Sequence, residues 1–272
     1  MTTISGRTRV FGILADPVHH VKTPQAINRL FEAQGFDGVM VPLHVEPGAL
    51  ATTLQALRGI RNFDGFIVTV PHKIAVVCWC DELTIDARQV GAVNVVRRTA
   101  DGRLIGGILD GDGFVHGLRA AGIEPAGQSV YLAGAGGAAS AIAFALAKAG
   151  VHRLTLANRS ADKARSLLDR VVDAFPSLQG AVGTDDPSGH DLVVNATSLG
   201  LRPGDALPLD TGRLEARQIV AEIIMDPALT PLLAAAADRG CRTHAGAPML
   251  AGQVQLMAAF MTGQSTAEPQ RP

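Results

Sequence analysis

Short apolar runs alternate with amphipathic segments along most of the chain. In its first part, runs rich in β-branched residues predict strands at residues 10–14, 39–45 and 66–70. Segments with helical periodicity lie between these runs, at residues 25–33 and 49–57. Strands that alternate with helices in this way are typical of a parallel α/β architecture.

The pattern starts afresh in the second half of the chain. Before that point, apolar runs at 93–96 and 104–107 flank Asp101-Gly102, a dipeptide favoured in hairpin turns. After Gly127, strands are predicted at 129–133, 153–157, 192–195 and 219–224, and alanine-rich helices at 138–149 and 230–239. We therefore predict an α/β fold with two domains and a boundary near residues 110–127.

Composition and charge narrow the class of protein. The 272 residues are 47% hydrophobic and 18% charged, which indicates a globular chain. A formal net charge of −1 lacks the basic excess of nucleic-acid binders, and no apolar run is long enough to span a bilayer. Cys78, Cys80 and Cys241 have no metal-binding spacing and are interpreted as reduced thiols. We expect a cytoplasmic protein without a metal, nucleic-acid or membrane partner.

A glycine-rich turn follows the first strand of the second series. The predicted strand at 129–133 leads directly into Gly134, Ala135, Gly136, Gly137 and Ala138, and a helix follows. Such a turn lets backbone amides approach a pyrophosphate at the positive end of a helix dipole. The strand before and the helix after it supply the context that the motif needs, and together they favour a dinucleotide site.

The end of the next strand indicates which dinucleotide is bound. NAD-binding domains usually place an acidic residue there, on the adenosine ribose. This chain instead has Asn158, Arg159 and Ser160, with Lys163 a few residues later. Two cations and two neutral donors suit a 2′-phosphate, so we predict NADP as cofactor and keep NAD possible. The alternative for Lys163 is an ordinary solvated surface lysine.

Seven segments, in order along the chain, resemble the motifs of the shikimate dehydrogenase family, and the likeness covers nearly the whole length. They lie at residues 65–73, 91–94, 107–114, 134–139, 158–160, 195–198 and 246–253. The resemblance implies a substrate-binding and catalytic domain at 1–110, joined by a C-terminal helix at 247–263. It also implies a Rossmann-like NADP-binding domain at 111–246, with a cleft between the two domains.

The same resemblance implies roles for individual residues. Lys73 is similar to the catalytic lysine of the family and Asp110 to its carboxylate partner. Substrate contacts are implied for Thr23, Thr69, Asn94 and Gln253, and further cofactor contacts for Asn195, Thr197, Gly246 and Met249. A lysine suits proton transfer because burial lowers the pKa of an amine towards the working pH. The alternative for Lys73 is a surface ion pair at a helix start, where His72 is also expected to lie.

The departures from the family pattern concentrate in the substrate pocket. Val21 replaces a hydroxyl residue that holds the substrate carboxylate, and Ile67 replaces an asparagine. Ile108-Leu109 replaces an asparagine–threonine pair, and Met225 replaces a tyrosine. All four changes exchange a polar group for an apolar one. We therefore expect a small-molecule substrate that is less polar than shikimate.

Three functions stay open from the sequence. The first is an NADP-dependent oxidoreductase of a cyclic or hydroxy-acid alcohol or ketone, with proton transfer through Lys73 and Asp110. The second is a genuine shikimate or quinate dehydrogenase, with the place in aromatic amino acid biosynthesis that the resemblance implies. The third is a binding protein that senses the dinucleotide without turnover. Retention of both Lys73 and Asp110 favours an enzyme, either monomeric or homodimeric, because a sensor needs no proton-transfer pair.

Overall fold

The computed structural model describes residues 3–19 and 21–264. The chain divides into two compact units. Of the described residues, one unit comprises those up to Leu109 together with those from Gln253 onward, and the other comprises Asp110–Gly252. Among the described residues, no helix combines the length and the apolar character needed to cross a membrane.

The first unit is built on a mixed six-stranded sheet. Its elements are β1 (Arg9–Ala15), α1 (Thr23–Ala33), β2 (Gly38–His44), α2 (Leu50–Gly59), β3 (Phe63–Val68), β4 (Glu82–Leu83), α3 (Ile85–Val90), β5 (Val95–Arg98) and β6 (Leu104–Gly107). The strand order is β2-β1-β3-β5-β6-β4. Strand β1 runs parallel to β2 and β3, whereas β5 is antiparallel to β3 and β6. The predicted hairpin at Asp101-Gly102 therefore joins β5 and β6.

The second unit is built on a six-stranded parallel sheet. Its elements are α4 (Asp110–Ala120), β7 (Ser129–Ala133), α5 (Gly137–Lys148), β8 (Arg153–Ala157), α6 (Ala161–Ala174), β9 (Gln179–Val182), β10 (Leu192–Asn195), β11 (Ile219–Glu222), α7 (Pro231–Asp238) and β12 (Arg242–His244). The last helix, α8 (Ala247–Thr262), begins in this unit and ends in the first. The strand order is β12-β11-β10-β7-β8-β9.

This order is that of a Rossmann sheet. Counted from β7, the strands run 3-2-1-4-5-6 across the sheet, and the order reverses between β7 and β10. Every residue of β7 is buried, which fits a central parallel strand covered on both faces. Ligands of open α/β sheets bind beyond the carboxyl ends of the strands at such a reversal. The topology therefore places the candidate site at the ends of β7, β8 and β10.

The strand predicted at 66–70 differs from the observed one at both ends. It begins earlier, at Phe63. The charged Asp64 is accommodated in the strand because its carboxylate accepts hydrogen bonds from the Arg9 guanidinium. It ends earlier, at Val68, because the chain turns before Pro71. The His72 amide donates to the Thr69 carbonyl at 2.9 Å and closes that turn.

Helix α4 occupies much of the region predicted as a domain boundary. Glycine is a poor helix former, and this segment contains three glycines. The sequence therefore did not predict a helix here. The structure explains two of the glycines by close packing. A Cβ at Gly111 would lie 2.1 Å from the Ala141 carbonyl oxygen, and one at Gly117 would lie 3.0 Å from the Pro248 carbonyl carbon. Only glycine lets α4 approach these backbones.

We expect Gly111→Ala to lower the free energy of unfolding by about 1–3 kcal/mol, because the added methyl group overpacks α4 against α5. Gly59→Ala in α2 is the matched control, since a Cβ there meets no atom within 4 Å. It should leave stability unchanged or raise it by about 0.4–1 kcal/mol. Denaturant unfolding of both variants decides the matter, and equal stability of the two would contradict the packing argument.

Candidate functional site

The glycine turn after β7 lies where the strand order reverses. Gly134 has a φ of +118°, a conformation open mainly to glycine. A Cβ at this position would lie 2.9 Å from the carbonyl oxygen of Ala196, just beyond β10. The Gly134 amide donates to the Ala157 carbonyl at 2.7 Å, which links the turn to the end of β8. Residue 134 must therefore be glycine for two reasons: its positive φ and the close approach of the Ala196 backbone.

The start of α5 leaves its first amides open to a ligand. Gly136 caps the helix without a side-chain hydrogen bond. A Cβ on Gly136 or Gly137 would meet no atom within 4 Å, so the space in front of the helix is unobstructed. Ala135 and Ala138 are half-buried beside it. Uncapped amides at the positive end of a helix dipole fit the pyrophosphate that the glycine pattern predicts.

A pocket of about 580 Å³ lies in the second unit, at the carboxyl ends of β7, β8 and β9 and beside the segment after β10. It is lined by Tyr131, Ala133, Ala157, Asn158, Arg159, Gly183, Thr184, Asp185, Thr197, Ser198, Leu199 and Pro208. Three predicted cofactor residues, Asn158, Arg159 and Thr197, lie in its wall. The other predicted cofactor residues do not line it, including the glycine turn, Ser160, Lys163, Asn195, Gly246 and Met249.

Charge in the wall of this pocket comes from two side chains. Arg159 is the cation and Asp185 the carboxylate among the lining residues, and both are exposed. Lys163 lies exposed on α6, outside the lining. Asn158 is half-buried, and its amide nitrogen donates to the Ser160 carbonyl at 2.9 Å. The guanidinium of Arg159 is thus the group in the wall that suits an added phosphate.

Sequence reasoning missed Tyr131 and Asp185. The Tyr131 hydroxyl donates to the Thr184 carbonyl at 2.8 Å and so supports the wall segment that carries Asp185. Burial raises the pKa of Tyr131, and the nearby Asp185 and Asp186 raise it further, so the phenol keeps the proton that it donates. A tyrosine beside the aliphatic residues of this strand was the available signal. Asp185 gave none, because β9 is short and largely exposed.

Gly246 and Met249 lie at the start of α8. A Cβ at Gly246 would lie 2.4 Å from the Ile224 carbonyl oxygen, so glycine is needed for backbone packing there. The amide of the buried Met249 donates to the Gly246 carbonyl at 3.2 Å. Met225 follows in the same segment as Ile224 and is 46% exposed.

In the first unit, Lys73 lies in the turn after β3. It is half-buried, and its carbonyl accepts from the Val93 amide at 2.8 Å. No helix starts at Lys73, as the alternative of a surface ion pair at a helix start required, since the next regular element is a short 3-10 helix at Val77–Trp79. The expected position of His72 at a helix start is wrong for the same reason. Its buried ring donates from Nε2 to the Val45 carbonyl at 2.7 Å and anchors the turn.

Asn94 connects the Lys73 turn to the end of β6. Its carbonyl accepts from the Val68 amide at 2.8 Å, and its own amide donates to the Gly107 carbonyl at 2.9 Å. The Asn94 Oδ1 accepts from the Leu109 amide at 2.9 Å. The structure thereby brings together the segments that carry Thr69, Lys73, Asn94 and Leu109. Asp110 follows Leu109 in the chain as the first residue of α4, in the second unit.

The apolar departures of the first unit differ in their surroundings. Ile67 is 3% exposed and pairs with Ile13 of β1 and Val95 of β5, so its side chain shares an apolar face. Val21 is half-buried in the turn before α1, and Thr23 is the first residue of that helix. The remaining predicted substrate residue of this unit, Gln253, is buried in α8.

Comparisons with known proteins agree on one family. A family model described as the shikimate dehydrogenase substrate binding domain matches residues 13–96. A curated protein from Rubrobacter xylanophilus, named shikimate dehydrogenase (NADP(+)), is 41% identical over 254 residues, which cover 91% of this chain and 88% of that protein.

Solved structures with the same fold carry more than one name. Shikimate 5-dehydrogenase from Listeria monocytogenes, crystallised with shikimate and NAD, has a TM-score of 0.89 at 28% identity and covers 97% of this chain and 95% of its own. Ligand-free 5-ketofructose reductase of Gluconobacter sp. strain CHM43 has a TM-score of 0.87 at 32% identity. The match covers 96% of this chain and 95% of the reductase.

Proposed function

This chain belongs to the shikimate dehydrogenase family of oxidoreductases, and we propose that it interconverts a cyclic or hydroxy-acid alcohol and its ketone with NADP, on a substrate other than shikimate. The observation that carries the proposal is the glycine turn of the Rossmann sheet, with the 580 Å³ pocket beyond its strand ends. We assign dinucleotide binding to residues 111–246, and substrate binding to residues 1–110 with the helix at 247–263.

The residues of the second unit fit the phosphate groups of a dinucleotide. The amides from Gly134 to Ala138 would hold the pyrophosphate, and Arg159 with Lys163 would hold a 2′-phosphate, which supports the choice of NADP. NADP is also the cofactor in the name of the Rubrobacter relative. When bound, the nicotinamide supplies or accepts the hydride.

Lys73 of the first unit carries the proton in this proposal. Lys73 takes the hydroxyl proton when the alcohol is oxidised and returns it to the carbonyl oxygen when the ketone is reduced. Asp110 acts as the carboxylate partner that orients the lysine ammonium. Asn94 and Thr69 hold the substrate hydroxyls in this proposal. The Leu109 amide donates to Asn94 Oδ1, and the Thr69 amide donates to the Leu14 carbonyl, so both segments are held in place.

The substrate class follows from the apolar replacements. Val21, Ile67 and Met225 offer no hydrogen bond to a carboxylate or hydroxyl group, and Leu109 offers none from its side chain. A solved relative named as a reductase of 5-ketofructose indicates that this fold serves substrates other than shikimate. The curated relatives carry the name shikimate dehydrogenase (NADP(+)), so a genuine shikimate dehydrogenase stays the second candidate. Kinetics with shikimate separate the two.

Direct titration tests the proposed function at its first step. The purified protein should bind NADPH, followed by quenching of the nicotinamide fluorescence, and should oxidise or reduce at least one member of a panel of cyclic alcohols, hydroxy acids and ketones. Binding without turnover of any compound would instead support the dinucleotide sensor.

Arg159→Ala should lower the ratio of NADPH affinity to NADH affinity by roughly tenfold. A charge-assisted contact contributes about 1.5–3 kcal/mol, and the exposure of Arg159 reduces that value. Arg165→Ala is the matched control, because Arg165 is an exposed cation on α6 outside the pocket lining. Fluorescence titration of both variants with both dinucleotides gives the ratios. The same ratio in Arg159→Ala as in the wild type would refute the phosphate contact.

A further inference from the structure

A buried carboxylate joins the ends of two central strands in the second unit. Glu222 is the last residue of β11 and pairs in register with Asn195, the last residue of β10. Both side chains are fully buried. The proton transfer described above does not use Glu222, and the seven family-like segments do not include it.

The Glu222 carboxylate accepts hydrogen bonds from donors in three segments. Asn195 Nδ2 lies 3.0 Å from one oxygen and 3.2 Å from the other. The Thr230 hydroxyl donates at 3.1 Å, and the Ile223 amide donates at 3.2 Å. Burial raises the pKa of Glu222, while the hydrogen bonds from Asn195 and Thr230 oppose that rise. Thr230 also caps α7 by accepting from the Leu233 amide at 3.2 Å.

The orientation of the Asn195 amide determines the shape of the loop that follows β10. Its Oδ1 accepts from the Thr197 amide at 3.0 Å and from the Thr197 hydroxyl at 2.7 Å. Its Nδ2 donates to the Leu199 carbonyl at 3.0 Å, and the Leu199 amide donates to the Thr197 hydroxyl at 3.0 Å. The loop is thus folded around one side-chain amide.

Glu222 selects that orientation. Asn195 Nδ2, the Ile223 amide and the Thr230 hydroxyl all donate to Glu222, so its oxygens act as acceptors that face the NH₂ group of Asn195 and leave Oδ1 to face the loop. If the Asn195 amide were flipped, its Oδ1 would face the Glu222 carboxylate oxygens. Its NH₂ group would then face the Thr197 amide, which is also a donor. The loop so held contributes Thr197, Ser198 and Leu199 to the wall of the 580 Å³ pocket.

We propose that Glu222 is a positioning residue of the dinucleotide site, which acts through Asn195 to hold the 196–199 loop in its binding conformation. The inference rests on the proposed function, because it assigns the pocket to the dinucleotide. A purely structural bridge between β10, β11 and α7 is the competing explanation, and it predicts loss of stability without a selective loss of dinucleotide affinity.

A second carboxylate of the same sheet provides the matched control. Asp191 precedes β10 at the opposite, amino-terminal edge, and it accepts from the Ser129 amide at 2.8 Å and from the Ser129 hydroxyl at 2.7 Å. It likewise ties two neighbouring strands, β7 and β10, but lines no part of the pocket. Asp191→Ala should therefore cost stability and leave dinucleotide binding intact.

The experiment measures thermal unfolding without ligand and the NADPH dissociation constant for wild type, Glu222→Ala, Glu222→Gln and Asp191→Ala. We expect Glu222→Ala to weaken NADPH binding about tenfold or more, and Asp191→Ala to change it less than about twofold. Glu222→Gln keeps the volume and one acceptor oxygen, so it should fold and bind with an intermediate constant.

Two results would overturn the inference. If Glu222→Ala and Glu222→Gln bind NADPH as tightly as wild type, or lose affinity only as much as Asp191→Ala, Glu222 is a structural bridge alone. If Glu222→Ala does not fold, the comparison of Glu222→Gln with Asp191→Ala decides by the same criterion. Failure of the wild type itself to bind either dinucleotide would overturn the proposed function, and this inference with it.

Discussion

Shikimate is expected to bind this protein about three to six decades more weakly than it would a pocket with the family's polar groups. A neutral hydrogen bond contributes about 0.5–1.5 kcal/mol and one to a charged group about 1.5–3 kcal/mol, so two of each sum to about 4–9 kcal/mol. At 1.4 kcal/mol per decade this gives the stated range. Neighbouring sites couple, which favours its lower end, and unpaired polar groups of the substrate add to the cost.

Reversing two of the replacements tests the cause of this loss. Val21→Ser combined with Ile67→Asn restores one contact to a carboxylate and one neutral contact, about 2–4.5 kcal/mol in all. The kcat/KM for shikimate should then rise by roughly 1.5 to 3 decades. Val21→Ala combined with Ile67→Leu is the control, because it changes both side chains and stays apolar.

The buried position of Ile67 makes a stability measurement part of this test. An asparagine there lies between Ile13 and Val95, where its amide lacks a partner until a substrate binds. Thermal unfolding of the double variant shows whether the fold survives. A folded double variant with unchanged kcat/KM for shikimate would show that these positions do not exclude it.

Lys73→Ala is expected to lower turnover by about 10²–10⁴-fold, the usual contribution of a positioned proton-transfer group. Binding of NADPH should persist, because the glycine turn and the pocket belong to the second unit whereas Lys73 belongs to the first. The measurement is kcat on the best compound of the panel, together with the NADPH dissociation constant.

Lys148→Ala is the control for this prediction. Lys148 is an exposed residue at the end of α5, 3.5 Å from an oxygen of Asp112, and it should leave kcat unchanged. Turnover by Lys73→Ala at the wild-type rate would remove the lysine from the chemistry. Loss of both turnover and NADPH binding would indicate a folding defect, and thermal unfolding would identify it.

The dinucleotide half of the molecule was predictable because its signals are local. The strand at Ser129–Ala133 is mostly apolar and fully buried, and a glycine turn and an alanine-rich helix follow it without interruption. The α/β fold class and the family resemblance are both confirmed. The roles of the individual site residues remain predictions.

Other features depended on contacts that a sequence does not display. Gly111 and Gly117 weaken the helical pattern of α4, yet they are the residues that let it pack closely. Asp185 enters the pocket from the end of β9, a short exposed strand without periodicity. Glu222 and Asn195 stand 27 residues apart, and only the parallel pairing of β10 and β11 makes them neighbours.

The central claim is that an NADP-dependent oxidoreductase has kept its catalytic groups and exchanged its substrate. The most direct measurement is steady-state kinetics of the wild type with NADP and shikimate, beside less polar cyclic alcohols under the same conditions. We expect a kcat/KM for shikimate well below the ordinary enzyme range, which begins at about 10⁴ M⁻¹s⁻¹, and a higher value for at least one less polar alcohol. A value for shikimate at or above about 10⁴ M⁻¹s⁻¹ that no other alcohol exceeds would contradict it.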